Sequence, residues 1–201
     1  MHTTLKILKW TGIVLVGLFI LAEIIRLPFR VREENTKEQV AKIHATKLQL
    51  DDVMGKNLPP DPGAEADKTV AGIDANKNGI RDDVELAIFA SYPNSAKTRA
   101  VLLQYALALQ MEFTQPIVNK ETVTEVVREQ SRAYECVSAI LPRVSLSKFV
   151  KDGDALRSFV ETRQINTEER KQQRKDFVAK IGSYSESENQ VCDIDYSTLS
   201  N

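Results

Sequence analysis

Ala100-Val-Leu-Leu-Gln-Tyr-Ala-Leu-Ala-Leu-Gln-Met-Glu-Phe113 is apolar nearly all the way round at helical spacing. A helix with no polar face has to be enclosed on every side, so this stretch is expected to be the central buried helix of a small bundle. It is too short, and too interrupted by Gln104 and Gln110, to be a membrane span. Asn94 or Ser95 supplies an N-cap, and Gln115-Pro116 closes the helix at about Phe113. The fold class that follows is all-α, with about four to five helices in an irregular bundle.

Other helical patterns flank this one. Upstream, a helix is predicted from about Asp83 to Tyr92, stopped by Pro93. Downstream, Lys120 to Leu141 places Val123, Val126, Val127, Tyr134, Val137 and Leu141 on one face. Its other face carries Glu121, Glu125, Arg128, Glu129 and Arg132, read as solvated. After Pro142 a helical segment runs from about Leu146 to Gln164, with a break expected at Asp152-Gly153. Ser145-Leu-Ser-Lys148 matches the S-x-x-K of penicillin-binding enzymes, but the companion S-D-N and K-T-G motifs are missing from the sequence. The last helix is predicted to open on an Asn166/Glu169 capping box and to reach about Ile181. Arg170, Lys171, Arg174 and Lys175 are read as its solvated basic band. The remainder, Ser183 to Asn201, is polar and is expected to be irregular, with Cys192 as its tether.

At the N-terminus, residues 1–9 form a short tail with Lys6 and Lys9. Residues 10–27 are an apolar run that, as a helix, spans about 27 Å, enough to cross a bilayer if Glu23 and Arg26 sit at its edge. Ile20 and Leu21 stand before Ala22 where a signal peptidase needs small residues. The segment is therefore read as an uncleaved membrane anchor, with cleavage as the competing reading. Residues 28–56 are expected to be a juxtamembrane helix with a thin apolar stripe, its stalk solvated and His44 on the surface. The run Asn57-Leu-Pro-Pro-Asp-Pro-Gly63 opens a stiff Pro/Gly-rich linker over 57–72.

The linker delivers the chain to Asp74-Ala-Asn76-Lys-Asn78-Gly79-Ile80-Arg81-Asp82-Asp83-Val84-Glu85. Oxygen-bearing side chains alternate, a glycine stands where the backbone must turn, and a Glu closes the run. A hard cation taking six to eight oxygens asks for such a pattern. The expected ligands are Asp74, Asn76, Asn78, the Ile80 carbonyl, Asp82 and Glu85, and the expected ion is calcium. The run resembles the EF-hand loop, and more closely the looser loops of dockerins and thrombospondin type 3 repeats. The resemblance covers these residues alone. Arg81 stands where an EF-hand carries an apolar residue, and the Pro/Gly-rich approach argues against an entering helix. A rival reading needs no metal: Asn78-Gly79 as a turn, and Asp82 with Glu85 as a capping box for the helix that follows. With two neutral amides among the ligands, affinity should be on the order of 10⁻⁴ to 10⁻³ M.

Two cysteines, Cys136 and Cys192, occur in 201 residues. Without a CxxC or a histidine cluster beside them, a zinc site is disfavoured, and in an oxidising compartment the two are expected to pair. A balance of 27 Lys and Arg against 28 Asp and Glu argues against nucleic acid as a partner. Domain 73–192 is then the calcium loop plus helical domain, with 193–201 as a tail. Counting Lys and Arg beside the anchor points the domain into the cytoplasm. The loop and the cysteine pair point it outward, and that side is preferred. The function expected is a membrane-anchored, calcium-stabilised helical module of the cell envelope acting through protein or surface contacts. Two alternatives stay open: an envelope enzyme using carboxylates such as Glu112 and Glu161 met in the fold, or a cytoplasm-facing regulator without calcium.

Overall fold

The computed structural model describes residues 2–183 and 190–200, with side chains from Lys9 onward. Two compact units divide after Glu38, one being Met1–Glu38 and the other Gln39–Asn201. Helices α1 (His2–Ala45), α2 (Leu50–Val53), α3 (Asp82–Ser91), α4 (Ala96–Thr114), α5 (Lys120–Ala139), α6 (Leu146–Gln164) and α7 (Glu168–Val178) follow in order. Among the described residues no strand forms. The all-α class is as the sequence implies.

In the first unit, the apolar residues of α1 have no protein around them: Trp10 is 67% exposed, Leu15 66% and Phe19 65%. This is the one described helix long and apolar enough to cross a membrane. Glu23 pairs with Arg26 at 3.3 Å and with Arg30 at 3.2 Å, so its one carboxylate is shared by two guanidinium groups. The helix continues through Pro28.

The second unit is built on α4, in which every residue from Arg99 to Glu112 is buried. It packs against α5 and α6 and, less extensively, against α2, α3 and α7. Its polar residues, which interrupt the apolar pattern in the sequence, fasten irregular segments to the core. Gln104 donates to the Val191 carbonyl and accepts from Asp193 N. Gln110 donates to Ala71 O, and Arg99 donates to the carbonyls of Val53, Tyr92 and Pro93. Each bond satisfies a polar group that would otherwise be stranded beside the core.

Several local expectations change in the fold. The stalk is not solvated beyond Gln39, because Ile43, Leu48 and Val53 enter the core. Glu125 and Glu129 on α5 are buried rather than solvated, and side chains from the end of α1 and the turn after it reach them. His44 Nε2 lies 2.9 Å from Glu125, and Lys47 donates to Glu129 at 2.8 Å. Tyr134, placed on the apolar face, is half exposed, with the Arg157 guanidinium 3.9 Å from its ring centroid. Helix α6 runs unbroken through Gly153, which is buried and so closely covered that a β-carbon there would meet Arg157 Nη2 at 2.9 Å. The cap of α7 is Thr167, not Asn166, whose side chain is engaged with Asp67 and Arg170.

The basic band of α7 is only partly a surface feature. Arg170 is fully buried and donates to Asp67 and to the carbonyls of Ala66, Thr69 and Val70. Arg174 reaches the buried carboxylate of Glu112 at 2.9 Å. Cys136 and Cys192 form a disulfide, as expected for an oxidising compartment. The tail has further tethers: Arg132 holds Asp193 at 2.6 Å, and Lys97 N donates to Ser200 O.

Candidate metal centre

The segment 73–85 curls back onto the start of α3. Asp82 N donates to Ile73 O at 2.9 Å, while the Asp82 carboxylate accepts from Ala75 N at 3.0 and 3.1 Å. Both ends of the loop are thereby held together. Asp74 accepts from Asn78 N at 3.1 Å through one oxygen and from Gly79 N at 2.9 Å through the other. Asn76 Oδ1 also accepts from Asn78 N, and Asn78 Oδ1 accepts from Ile80 N at 2.9 Å. Lys77 has φ 60° and Gly79 φ 84°, the reversals that wind a short loop round its own interior. Gly79 is needed on a second count, since a β-carbon there would sit 2.7 Å from Leu107 Cδ1.

Glu85 closes the loop from the first turn of α3. It is 1% exposed, and its carboxylate accepts from Asn76 Nδ2 at 3.1 Å. Its hydrogen bonding is not that of a capping box. The N-cap of α3 is Arg81, which makes no side-chain cap bond, and Asp82 and Asp83 both lie inside the first turn. The turn element of the rival reading is present; its reciprocal cap is not.

Electrostatically the loop is one-sided. Arg81 is wholly buried but points away, to Asp83 at 2.5 and 2.8 Å and to the Arg163 and Gln164 carbonyls ending α6. It therefore neutralises Asp83 and the negative end of a helix, not the loop. Among the described residues, no Lys, Arg or His pairs with Asp74, Asp82 or Glu85. Burial pushes the Glu85 carboxyl up to about 7 and the charges of Asp52 and Asp82 add to this, while the amides of Asn76 and Asn78 oppose it. Burial also raises Asp82, opposed by the Ala75 N–H. Asn78 Nδ2, although near Glu85, falls outside hydrogen-bonding geometry and is buried without a partner.

The residues fit an oxygen-seeking cation in composition. Among the described residues, no three His, Cys, Asp or Glu side chains stand together as a ready-made metal cluster. A cation here would be held by a mixed set in which Asn76, Asn78 and the Ile80 carbonyl complement Asp74, Asp82 and Glu85. A carboxylate oxygen that accepts one N–H keeps a second lone pair, so the bonds that shape the loop leave ligating capacity. The sequence did not mark two contributors from α2 and the turn after it: Asp52, which adds its charge at Glu85, and the Asn57 carbonyl, which accepts from Asn76 Nδ2 at 2.9 Å. They are separated from the loop by the prolines, and no local pattern points to them.

The carboxylates proposed for enzymatic chemistry, Glu112 and Glu161, do not line a common cleft. A cleft of about 430 Å³ is lined by Tyr105, Gln130, Glu161 and Arg174, among others. Glu161 accepts from the Tyr105 hydroxyl, which burial keeps firmly protonated. Glu112 lies deeper, bonded to Arg174 and Gln130. These bonds tie α4 to α5, α6 and α7. Compared with protein-family models, curated proteins and solved structures, the chain finds no match.

Proposed function

We propose that the chain is a single-pass, membrane-anchored module of the cell envelope whose helical unit is stabilised by calcium in the loop 74–85 and works through protein or surface contacts. What carries the reading is the loop itself: a wound backbone with alternate oxygen donors, ending on a buried glutamate that no side-chain cation among the described residues neutralises. Asp74, Asn76, Asn78, the Ile80 carbonyl, Asp82 and Glu85 would hold the ion, whose charge would offset carboxylates that burial otherwise disfavours. The contribution of calcium is structural: the loop joins the segment leaving α2 to the first turn of α3, and a bound ion stabilises that junction in proportion to its occupancy.

The disulfide supports an oxidising compartment and hence an extracytoplasmic helical unit. That places the loop where calcium is abundant, and the weak affinity of a site with two neutral amides is sufficient there. Calorimetric titration of the detergent-solubilised full chain should show one calcium bound in the submillimolar to millimolar range. Asp74→Ala with Glu85→Ala should abolish it while the Cys136–Cys192 bond still forms. Absence of binding by the unmutated chain would return the loop to a simple turn. An alkaline phosphatase fused after Asn201 should be active, and an inactive fusion would place the unit in the cytoplasm.

A further inference from the structure

The corner between α5 and α6 exposes apolar side chains that the core does not use. Val144 is 77% exposed and Leu146 79%, the highest values among the large apolar residues described. Val150, one turn along α6 from Leu146, is 46% exposed, and Phe149 beside them is half-buried. Arg143, Ser145, Leu146 and Phe149 line a shallow hollow of about 370 Å³. Exposed apolar residues scattered singly need no explanation, but a contiguous group on a protruding turn does.

The charges of the corner are interleaved with these residues. Between Ile140 and Arg157 the chain carries Arg143, Lys148, Lys151 and Arg157 against Asp152 and Asp154. Lys148 pairs with Asp152 and Arg157 with Asp154. Among the described residues Arg143 and Lys151 have no ion pair, leaving two cations uncompensated. Glu135 of α5 and Asp195 share the neighbouring cleft with Arg143 without pairing with it. Apolar tips with long cationic side chains at their margin suit a bilayer interface. The tips enter the acyl boundary while the ammonium and guanidinium groups stay among anionic headgroups.

We propose that this corner docks on an anionic phospholipid surface, giving the chain a second membrane contact through Val144, Leu146 and Val150 flanked by Arg143, Lys148 and Lys151. The inference rests on the reading of α1 as an anchor. A tether raises the effective concentration of the surface, so a contact too weak to hold a free protein is sufficient. A protein partner fits less well: stable interfaces engage about 20 residues or more on each side, and this patch is far smaller.

The chain contains one tryptophan, Trp10. Trp10→Phe combined with Leu146→Trp therefore gives a single reporter at an exposed position. The full chain carrying both changes would be reconstituted into phosphatidylcholine vesicles with and without one-third phosphatidylglycerol, using acyl chains brominated near the headgroup. The expected result is a blue-shifted emission in the anionic vesicles, with bromine quenching several-fold stronger than in the neutral ones. Adding Arg143→Glu, Lys148→Glu and Lys151→Glu should remove the difference. Unshifted, unquenched emission from chains that float with the anionic vesicles would overturn the proposal. A blue shift without quenching would mean that protein covers the corner, and equal quenching in both vesicles would refute the anionic assignment. Chains that fail to float would instead overturn the anchor reading, and the second contact with it.

Discussion

Replacing Glu85 by glutamine tests the candidate metal centre through a stability gain that is full without calcium and reduced with it. The substitution keeps a carbonyl oxygen to accept from Asn76 and removes a charge that is 1% exposed. In the calcium-free protein the carboxyl is raised from 4.5 to about 7. A raised carboxyl favours the protonated folded state, so stability from this group is greatest below pH 4.5 and is lost as pH rises to 7. Above 7 the loss reaches about 3 kcal/mol. Glutamine does not titrate. In EDTA, Glu85→Gln should therefore be more stable than the unmutated chain by about 3 kcal/mol at pH 8 and by about 1 kcal/mol or less at pH 5. For a chain of this size the pH 8 gain corresponds to a Tm higher by about 6 to 12 °C.

Calcium should narrow this difference. At 5 mM, a site with a Kd between about 10⁻⁴ and 10⁻³ M stabilises the unmutated protein by about 1 to 2 kcal/mol, and the glutamine variant by distinctly less. The assay is thermal loss of the near-ultraviolet circular dichroism of the full chain in detergent. Groups that do not interact with Glu85 cancel in the difference. A Tm difference that is the same at pH 5 and pH 8 in EDTA would refute the buried-charge reasoning. An unmutated chain indifferent to calcium would refute the metal loop.

Reducing the disulfide, or Cys136→Ser with Cys192→Ser, should cost about 4 kcal/mol, from the loop entropy of a 56-residue separation. Hydrogen exchange should then lose protection around Asp193, read against the oxidised chain. Arg170→Met should destabilise by about 3 kcal/mol or more in denaturant titration, because Asp67 and the Ala66, Thr69 and Val70 carbonyls lose their common donor. Gly79→Ala should destabilise by more than about 1 kcal/mol whether or not calcium is present, since φ 84° and the Leu107 contact both oppose a β-carbon. An effect seen only with calcium would show that the glycine serves the ion and not the turn.

Features written in near neighbours were legible without coordinates. The apolar girth of Ala100–Phe113 predicted a helix enclosed by others, and Pro93, Pro116 and Pro142 marked where helices give way to turns. The alternation from Asp74 to Glu85 pointed to a wound loop, because its hydrogen bonds run between residues two to nine apart. The side chains misjudged are those whose partners lie far along the chain. Arg170 reads as a surface cation until the 66–70 turn, about a hundred positions earlier, is brought over it. Glu125 and Glu129 read as solvated until His44 and Lys47 cover them. Gly153 reads as a breaker until the Arg157 guanidinium takes the space over it.

By itself the amino-acid sequence determined an all-helical chain with one membrane-length apolar helix, the positions of most helices, and a loop rich in oxygen donors. Helix periodicity, caps and turns are local energies, decided by residues a few places apart. Only the tertiary structure decided which charges are buried, which irregular segments the polar residues of α4 fasten, and that Glu85 lies in a cation-poor interior. Those outcomes depend on contacts between distant segments, and whether a charged side chain ends in water or in the core is set by what folds over it.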